Sequence, residues 1–425
     1  MSEIKTDKPK TLSPYRWYVL FMLVILSTFA WVDNQLILIM QESIKADLGL
    51  SDTQLGLITG LGFAIPYTLF GIPVARLADR YNRRNIMGLA LTFWSGVTAL
   101  TGYAGSFIQL LFARFSIALG ETGAAPPAFS FLADYFPKAE RARVYAIRGM
   151  GLYFGFLIGF LIGGFLEEAY GWRVAFRLVG IPGVLFAIVF FLTVREPERG
   201  AMEATTTNIE DRPPFMEVLN YLLAKPTMRY LMIGSAAHAF VGTAYSNWMP
   251  PYLARVHGMG TAEIGMWLAL AIGVCGAIGT FIGGFISDKF GQKDIRWYLW
   301  IPAISFCLSF PFALGTLFGQ TGEVAMLSYC MPNILYAFFI GPSYTLLQDM
   351  SKVNMRATGS AIFMIFLSLT SGGGPLLAGY LSDIWQPHYG VDAIRYALFI
   401  IGFLEIIALY CFLKAAKTVG EDVIV

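Results

Sequence analysis

Long apolar runs separated by short polar or charged segments fill the chain from Tyr15 to Leu413. Each run approaches the roughly 20 residues that a helix needs to cross about 30 Å of hydrocarbon. Cutting at charged or turn-rich segments leaves twelve runs, and the longest polar gap, Arg195 to Pro214, falls between the sixth and the seventh. The pattern predicts an all-α membrane protein of twelve transmembrane helices in two six-helix bundles. Residues 1–14 form a polar tail, 15–195 the first bundle, 196–226 a linker, 227–415 the second bundle and 416–425 a second tail. The fourth span is read as approximately 107–133. In the seventh, Pro250 and Pro251 are expected to interrupt the helix near its outer end.

The two halves repeat one another. DYFPKAERARVYAI from Asp134 aligns with DMSKVNMRATGSAI from Asp349, pairing Asp134 with Asp349, Arg141 with Arg356 and Ile147 with Ile362. Earlier in each half, ARLADRYNRR from Ala75 aligns with GFISDKFGQK from Gly284, pairing Asp79 with Asp288 and Arg80 with Lys289. Two six-helix halves in parallel repeat are a design of alternating-access carriers. Gly151, Gly155, Gly159 and Gly163 recur every four residues on the fifth helix, a stripe on which a neighbouring helix can approach closely.

Composition agrees with the pattern: 56% of residues are hydrophobic and 14% charged, against about a quarter charged in soluble domains. A net charge of +2 without a basic tract points to no nucleic-acid partner. The first apolar run is too long for a signal peptide. Lys and Arg are concentrated on the side that holds both termini, while Lys45, Arg173, Arg255 and Arg395 lie on the other. That asymmetry places the termini in the cytoplasm, and the compact loops suit a bacterial inner membrane. The four cysteines sit in apolar runs, the three histidines are far apart, and no phosphate-binding GxxxxGK[ST] loop or HExxH occurs. No metal, cofactor or enzymatic site is expected, so transport must draw on an ion gradient or on the substrate's own gradient.

ARLADRYNRR and GGFISDKFGQK resemble the signature loop of the major facilitator superfamily, the first copy with Ala75 and Asn82 where glycines are usual. The resemblance implies a gate at the cytoplasmic helix ends, built from Asp79, Arg80, Arg83, Arg84, Asp134 and Arg141 and from Asp288, Lys289, Asp349 and Arg356. RFSIALGETGAAPPAFSFLADYFPKAERARVYAI, GWRVAFRLVGIPGVL and TVREPERG are similar to the spinster-type branch, whose better-known members move lysophospholipids or sphingoid lipids. In VDNQLILIM, Asn34 stands where such transporters usually carry an arginine after the aspartate. In this architecture the first, fourth, seventh and tenth helices line the cavity, which implies that Asp33 reaches Arg114.

Intramembrane charges are costly, at about 2.5–3.5 kcal/mol each near the bilayer centre, and they mark pathways. Arg114 and Glu121 are seven residues apart, hence on one helix face and roughly 10 Å apart. They bracket a third group, expected to be Asp33. Glu121 is read as the principal proton-binding carboxylate, Asp33 as a second titratable or substrate-facing group, and Arg114 as the competing cation; a fixed lock among the three, and substrate head-group binding alone, are the other readings. His238, Tyr245, Asn247 and Trp248 put polar tips into the seventh helix, and with Asn34, Tyr153 and Tyr336 they are candidates to line a substrate cavity. Glu405 is expected to face packing partners. The expected function is alternating-access transport of an amphipathic or organic-anion-like small molecule by a monomer in the lipid bilayer, coupled to protons. A proton-coupled carrier of a small polar carboxylate or sugar acid is the alternative, and a non-transporting receptor or scaffold the reading from another class.

Overall fold

The computed structural model describes residues 14–202 and 213–423, with the side chains of Asp79, Ala142 and Val353 left undescribed. Among the described residues the helices assemble into twelve spans. Five are single helices: Tyr15–Ile39 (first), Arg83–Thr101 (third), Arg141–Tyr170 (fifth), Trp172–Thr193 (sixth) and Trp297–Phe318 (ninth). The seventh and eleventh are the long helices Pro226–His257 and Arg356–Tyr389. The others are composite. The second joins Asp52–Thr59 to Leu61–Arg80, and the fourth joins Phe107–Glu121 to Ala125–Tyr135. The eighth carries a wide π-helical turn, Ala269–Val274, between Thr261–Leu268 and Cys275–Gly291. The tenth joins Gly322–Tyr336 to Ile340–Met350, and the twelfth joins Ala393–Gly402 to Glu405–Asp422. A short helix, Phe215–Ala224, precedes the seventh span.

Eight stretches are long and apolar enough to cross a membrane by length and composition, the last of them, Arg356–Asp422, holding two spans. The third, fourth and seventh spans fall outside those stretches, and the last two carry several of the polar side chains of the cavity, Arg114, Glu121, His238, Tyr245 and Asn247. The fourth span, read as 107–133, is built of two helical pieces: it turns at Thr122–Ala124, directly after Glu121. Pro126 and Pro127 lack the N–H groups that would continue the ladder, and they start the second piece instead.

The seventh span corrects the expectation of an interruption, because its helix runs straight through Pro250 and Pro251. Pro251 offers no N–H to the carbonyl of Asn247, and that oxygen accepts at 2.6 Å from Nε2 of Gln41, the residue that opens the short helix Gln41–Leu48 directly after the first span. The eleventh span repeats the device: the carbonyl of Ser371, freed by Pro375, accepts from Thr243 Oγ1 at 2.7 Å. Backbone groups freed by proline at membrane depth need such partners. Removing the donor with Gln41→Leu is expected to weaken the junction between the halves by about 1–3 kcal/mol, read as faster labelling of a cysteine placed on the first-to-second-span connection.

The first and fifth spans pack along the glycine stripe, with Gly151, Gly155 and Gly159 against Ser27, Trp31 and Gln35. The halves meet through the second and eleventh spans and through the fifth and eighth. Gly60 lies against the backbone of Gly372, so close that any side chain there would force the helices apart. These crossings lie toward the end opposite the termini, hereafter the far end. On the side of the termini, Gly149, Gly284 and Gly341 face open space.

Candidate functional site

A cavity of about 740 Å³ lies between the halves. Its walls are largely aromatic and apolar, with Phe63 and Phe156 from one half and Phe306 and Phe310 from the other. Polar groups enter at a few points.

On the N-terminal half those points form a chain. Arg114 Nη2 donates to Asn34 Oδ1 at 2.9 Å, and Asn34 Nδ2 donates to both Glu121 oxygens, at 3.2 and 3.1 Å. Arginine is only a donor and an ionised carboxylate only an acceptor, so the amide has one productive orientation between them. Helix spacing sets Arg114 and Glu121 about 10 Å apart on one face, and Asn34 fills the gap from the facing helix. Arg114 also lies over the ring of Phe63, 4.6 Å from its centroid.

The third partner is therefore Asn34, not Asp33. Successive helical residues diverge by about 100°, and Asp33 turns away from the cavity wall, is 3% exposed, and accepts from Thr98 Oγ1 of the third span at 3.0 Å. Trp248 is a second correction. It is buried at the far end, its indole donating to the carbonyl of Pro375 at 2.9 Å, and it does not line the cavity. Tyr153, His238, Tyr245, Asn247 and Tyr336 do line it. Tyr153 shares a hydrogen bond with Thr280 across the halves.

Glu405 corrects a third expectation. It lines the cavity, and its carboxylate oxygens lie 2.8 and 3.0 Å from His238 Nδ1. Phe306, Phe339 and a stacked Tyr336 surround the imidazole, with centroid distances of 4.4, 4.7 and 4.5 Å. Each half thus contributes one cavity carboxylate beside a nitrogen donor, Glu121 buried and Glu405 partly so, although the two pairs occupy unrelated positions in the repeat. Seven-residue spacing from Tyr245 had marked His238, whereas a lone glutamate on the twelfth span had no partner in its own sequence neighbourhood.

The gate residues are only half engaged. Arg83 is buried and bonds Asp134 at 2.6 Å, Glu196 at 2.8 Å and Ser130 at 2.8 Å. Arg141 donates to the carbonyls of Phe136 and Ala133, and Arg84 to the side chain of Asn85; Arg80 is exposed. These partners lie within the N-terminal half or, for Glu196, directly after its last span, so the cluster ties that half to the start of the linker. The Asp79 side chain lies outside the described residues. Among the described residues, Asp288, Lys289, Asp349 and Arg356 form no ion pair.

The far end is closed by a network that the sequence had not suggested. Asp52, 1% exposed, accepts from Arg255 at 2.6 and 2.8 Å, from Lys45 at 2.6 Å and from Ser382 at 2.6 Å. Arg255 also reaches Glu42 at 2.5 Å. Asp383 of the eleventh span accepts from the backbone N–H groups of Asp52 and Thr53, at 2.9 and 2.8 Å. A carboxylate from one half thereby caps a helix N-terminus of the other, where it meets free N–H groups and the positive end of the dipole.

Twelve spans in two halves around a midplane cavity are matched by a model of the Major Facilitator Superfamily over residues 19–372. This chain belongs to the major facilitator superfamily. It is therefore an integral, multi-pass membrane transporter. The carrier is 30% identical to an MFS-type efflux pump of Mycolicibacterium smegmatis, over 99% of this chain and 97% of that protein. It is 26% identical to a probable galactarate/D-glucarate transporter of Bacillus subtilis, over 86% and 85%. Its fold matches the crystal structure of a bacterial homologue of the human lysosomal transporter Spinster, inward-facing and unoccupied. That match has a TM-score of 0.89 and 29% identity, and covers 97% of this chain and 99% of the other. The carrier is spinster-like, as the motifs around the fourth span suggested.

Proposed function

We propose that this carrier moves an organic anion with an apolar body across a bacterial inner membrane, driven by protons that load at Glu121. The observation that carries this reading is the Arg114–Asn34–Glu121 chain, a cation and a carboxylate sharing one amide on the wall of an aromatic-lined cavity. A proton on Glu121 removes the charge that orients Asn34, which loosens the hold of the amide on Arg114. The substrate anion then competes for a better-exposed guanidinium. Lysine and arginine predominate on the side of the termini, so the open end faces the cytoplasm and the network around Asp52 the outside. Each monomer holds a complete cavity.

The aromatic walls favour an amphipathic substrate. A small polar carboxylate or sugar acid is the second reading, supported by the likeness to the probable galactarate/D-glucarate transporter. The two separate in a thermal-stabilisation screen of the purified carrier against lysolipids, sphingoid bases, alkyl carboxylates and sugar acids, repeated on Arg114→Ala. Stabilisation by alkyl anions that is lost in Arg114→Ala is expected. Stabilisation by sugar acids alone would replace the amphipathic reading with the second, and indifference to Arg114→Ala would remove that residue from the site.

A further inference from the structure

Among the described residues, three arginines are almost fully buried: Arg83, Arg114 and Arg148. The first is held by two carboxylates and the second by the amide of Asn34. Arg148, 7% exposed on the fifth span, has no carboxylate, carbonyl or hydroxyl oxygen within hydrogen-bonding distance among the described residues, and its Nε is buried without a partner. Its guanidinium lies over the ring of Phe129, 4.5 Å from the centroid, and lines the cavity. A guanidinium withdrawn from water is normally paired, because the desolvation of a lone buried ion is not otherwise offset. Contact with a ring face uses none of the N–H groups, which lie along the edge that receives carboxylates and phosphates in a two-pronged fork. The hydroxyl of Tyr67, on the second span, is within electrostatic range of both Arg148 and Glu121.

We propose that Arg148 is the anion-receiving group of the cavity and binds the carboxylate or phosphate of the transported molecule, whose apolar part lies on the neighbouring aromatic walls. Arg114 is engaged with Asn34 in the empty carrier, so Arg148 is the cation already free to take the ligand, and Arg114 joins once Glu121 is protonated. The inference rests on the transporter reading above but not on proton coupling.

The test measures binding of dodecanoate, dodecyl phosphate and uncharged dodecanol to the full-length carrier in lipid nanodiscs, for the wild type, Arg148→Gln and Arg148→Lys. In Arg148→Gln the affinity for the anionic probes is expected to fall by about 10- to 100-fold, the range of a charge-assisted hydrogen-bond pair, with dodecanol unchanged. Arg148→Lys, which keeps the charge and loses the fork, is expected to recover part of the binding and guards against a folding defect in the glutamine variant. A larger loss for one anion identifies the head group. Equal anion affinity in the wild type and both variants would overturn the proposal, as would a wild type that binds no anion better than dodecanol. Loss of proton-driven transport in Glu121→Gln with anion binding intact leaves Arg148 in its role. Sensitivity to Arg114→Ala alone would retain the transporter reading and discard this one.

Discussion

Arg255→Ala is expected to open the far end. In the closed arrangement Arg255 lies against Asp52 through two hydrogen bonds and against Glu42 through a third, and Asp52 is almost completely buried. Truncating one member of a buried ion pair leaves its partner desolvated, at about 3–5 kcal/mol. Lys45 and Ser382 still reach Asp52, which argues for the lower end of that range. In the open arrangement the carboxylates are hydrated and the loss is small. About 3 kcal/mol moves the equilibrium roughly 100-fold toward far-end opening. Spin labels at Tyr103 and Gln320, exposed positions at the far end of either half, will report the change as a longer interlabel distance once the exposed Cys307 and the other cysteines are replaced. Arg255→Lys retains charge without the planar fork and should fall between the two. An unchanged distance distribution in Arg255→Ala would show that glycine packing alone, not the ion network, closes this end.

The contrast between this network and the rest of the site shows what the sequence carried. Span number, halves and the repeat were legible because hydropathy over twenty residues averages out local detail. Arg114 and Glu121 were legible because two charges seven apart on an apolar helix fix one face. The choice between Asp33 and Asn34 was not, since one residue of helical phase decides it. Asp33, Asn34 and Gln35 stand consecutively on the first span, about 100° apart, so their polar side chains point to different faces and do not by themselves single out the inner side. Glu405, Arg148 and Asp383 were missed for a different reason. Their meaning depends on a partner, or on the lack of one, from another span, and no spacing along their own helices encodes that. Arg255 was visible as one of four basic residues on the sparsely charged side, yet counting charges for orientation conceals what any single charge holds. The gate loops reverse the case: the repeat is plain in sequence, but among the described residues the ion pairs of these positions are those of Arg83 in the N-terminal copy.

Glu121→Gln is expected to abolish proton-driven accumulation while leaving exchange of substrate across the membrane. The glutamine keeps the shape of the carboxyl and its hydrogen bond with Asn34, but it cannot take up or release a proton, so it fixes the site in its uncharged form. In proteoliposomes, accumulation under an imposed pH gradient should drop to the level of vesicles with no gradient. Counterflow of labelled against unlabelled substrate should persist. Wild-type rates should rise as the loading side is acidified, because the protonated form is the one that frees Arg114, and the rate of the glutamine variant should be flat over the same range. Asn34→Leu separates this mechanism from a static lock. Without the amide, Arg114 and Glu121 remain about 10 Å apart on one helix face with no group between them. If the three residues only hold the half together, Asn34→Leu and Glu121→Gln will both lower the thermal midpoint and leave the dependence on the proton gradient intact. If Asn34 transmits the charge state of Glu121 to Arg114, the leucine variant will still bind protons but will no longer convert them into substrate movement. A leucine variant that accumulates substrate like the wild type would place the coupling elsewhere, with the carboxylate of Glu405 beside His238 the next group to examine.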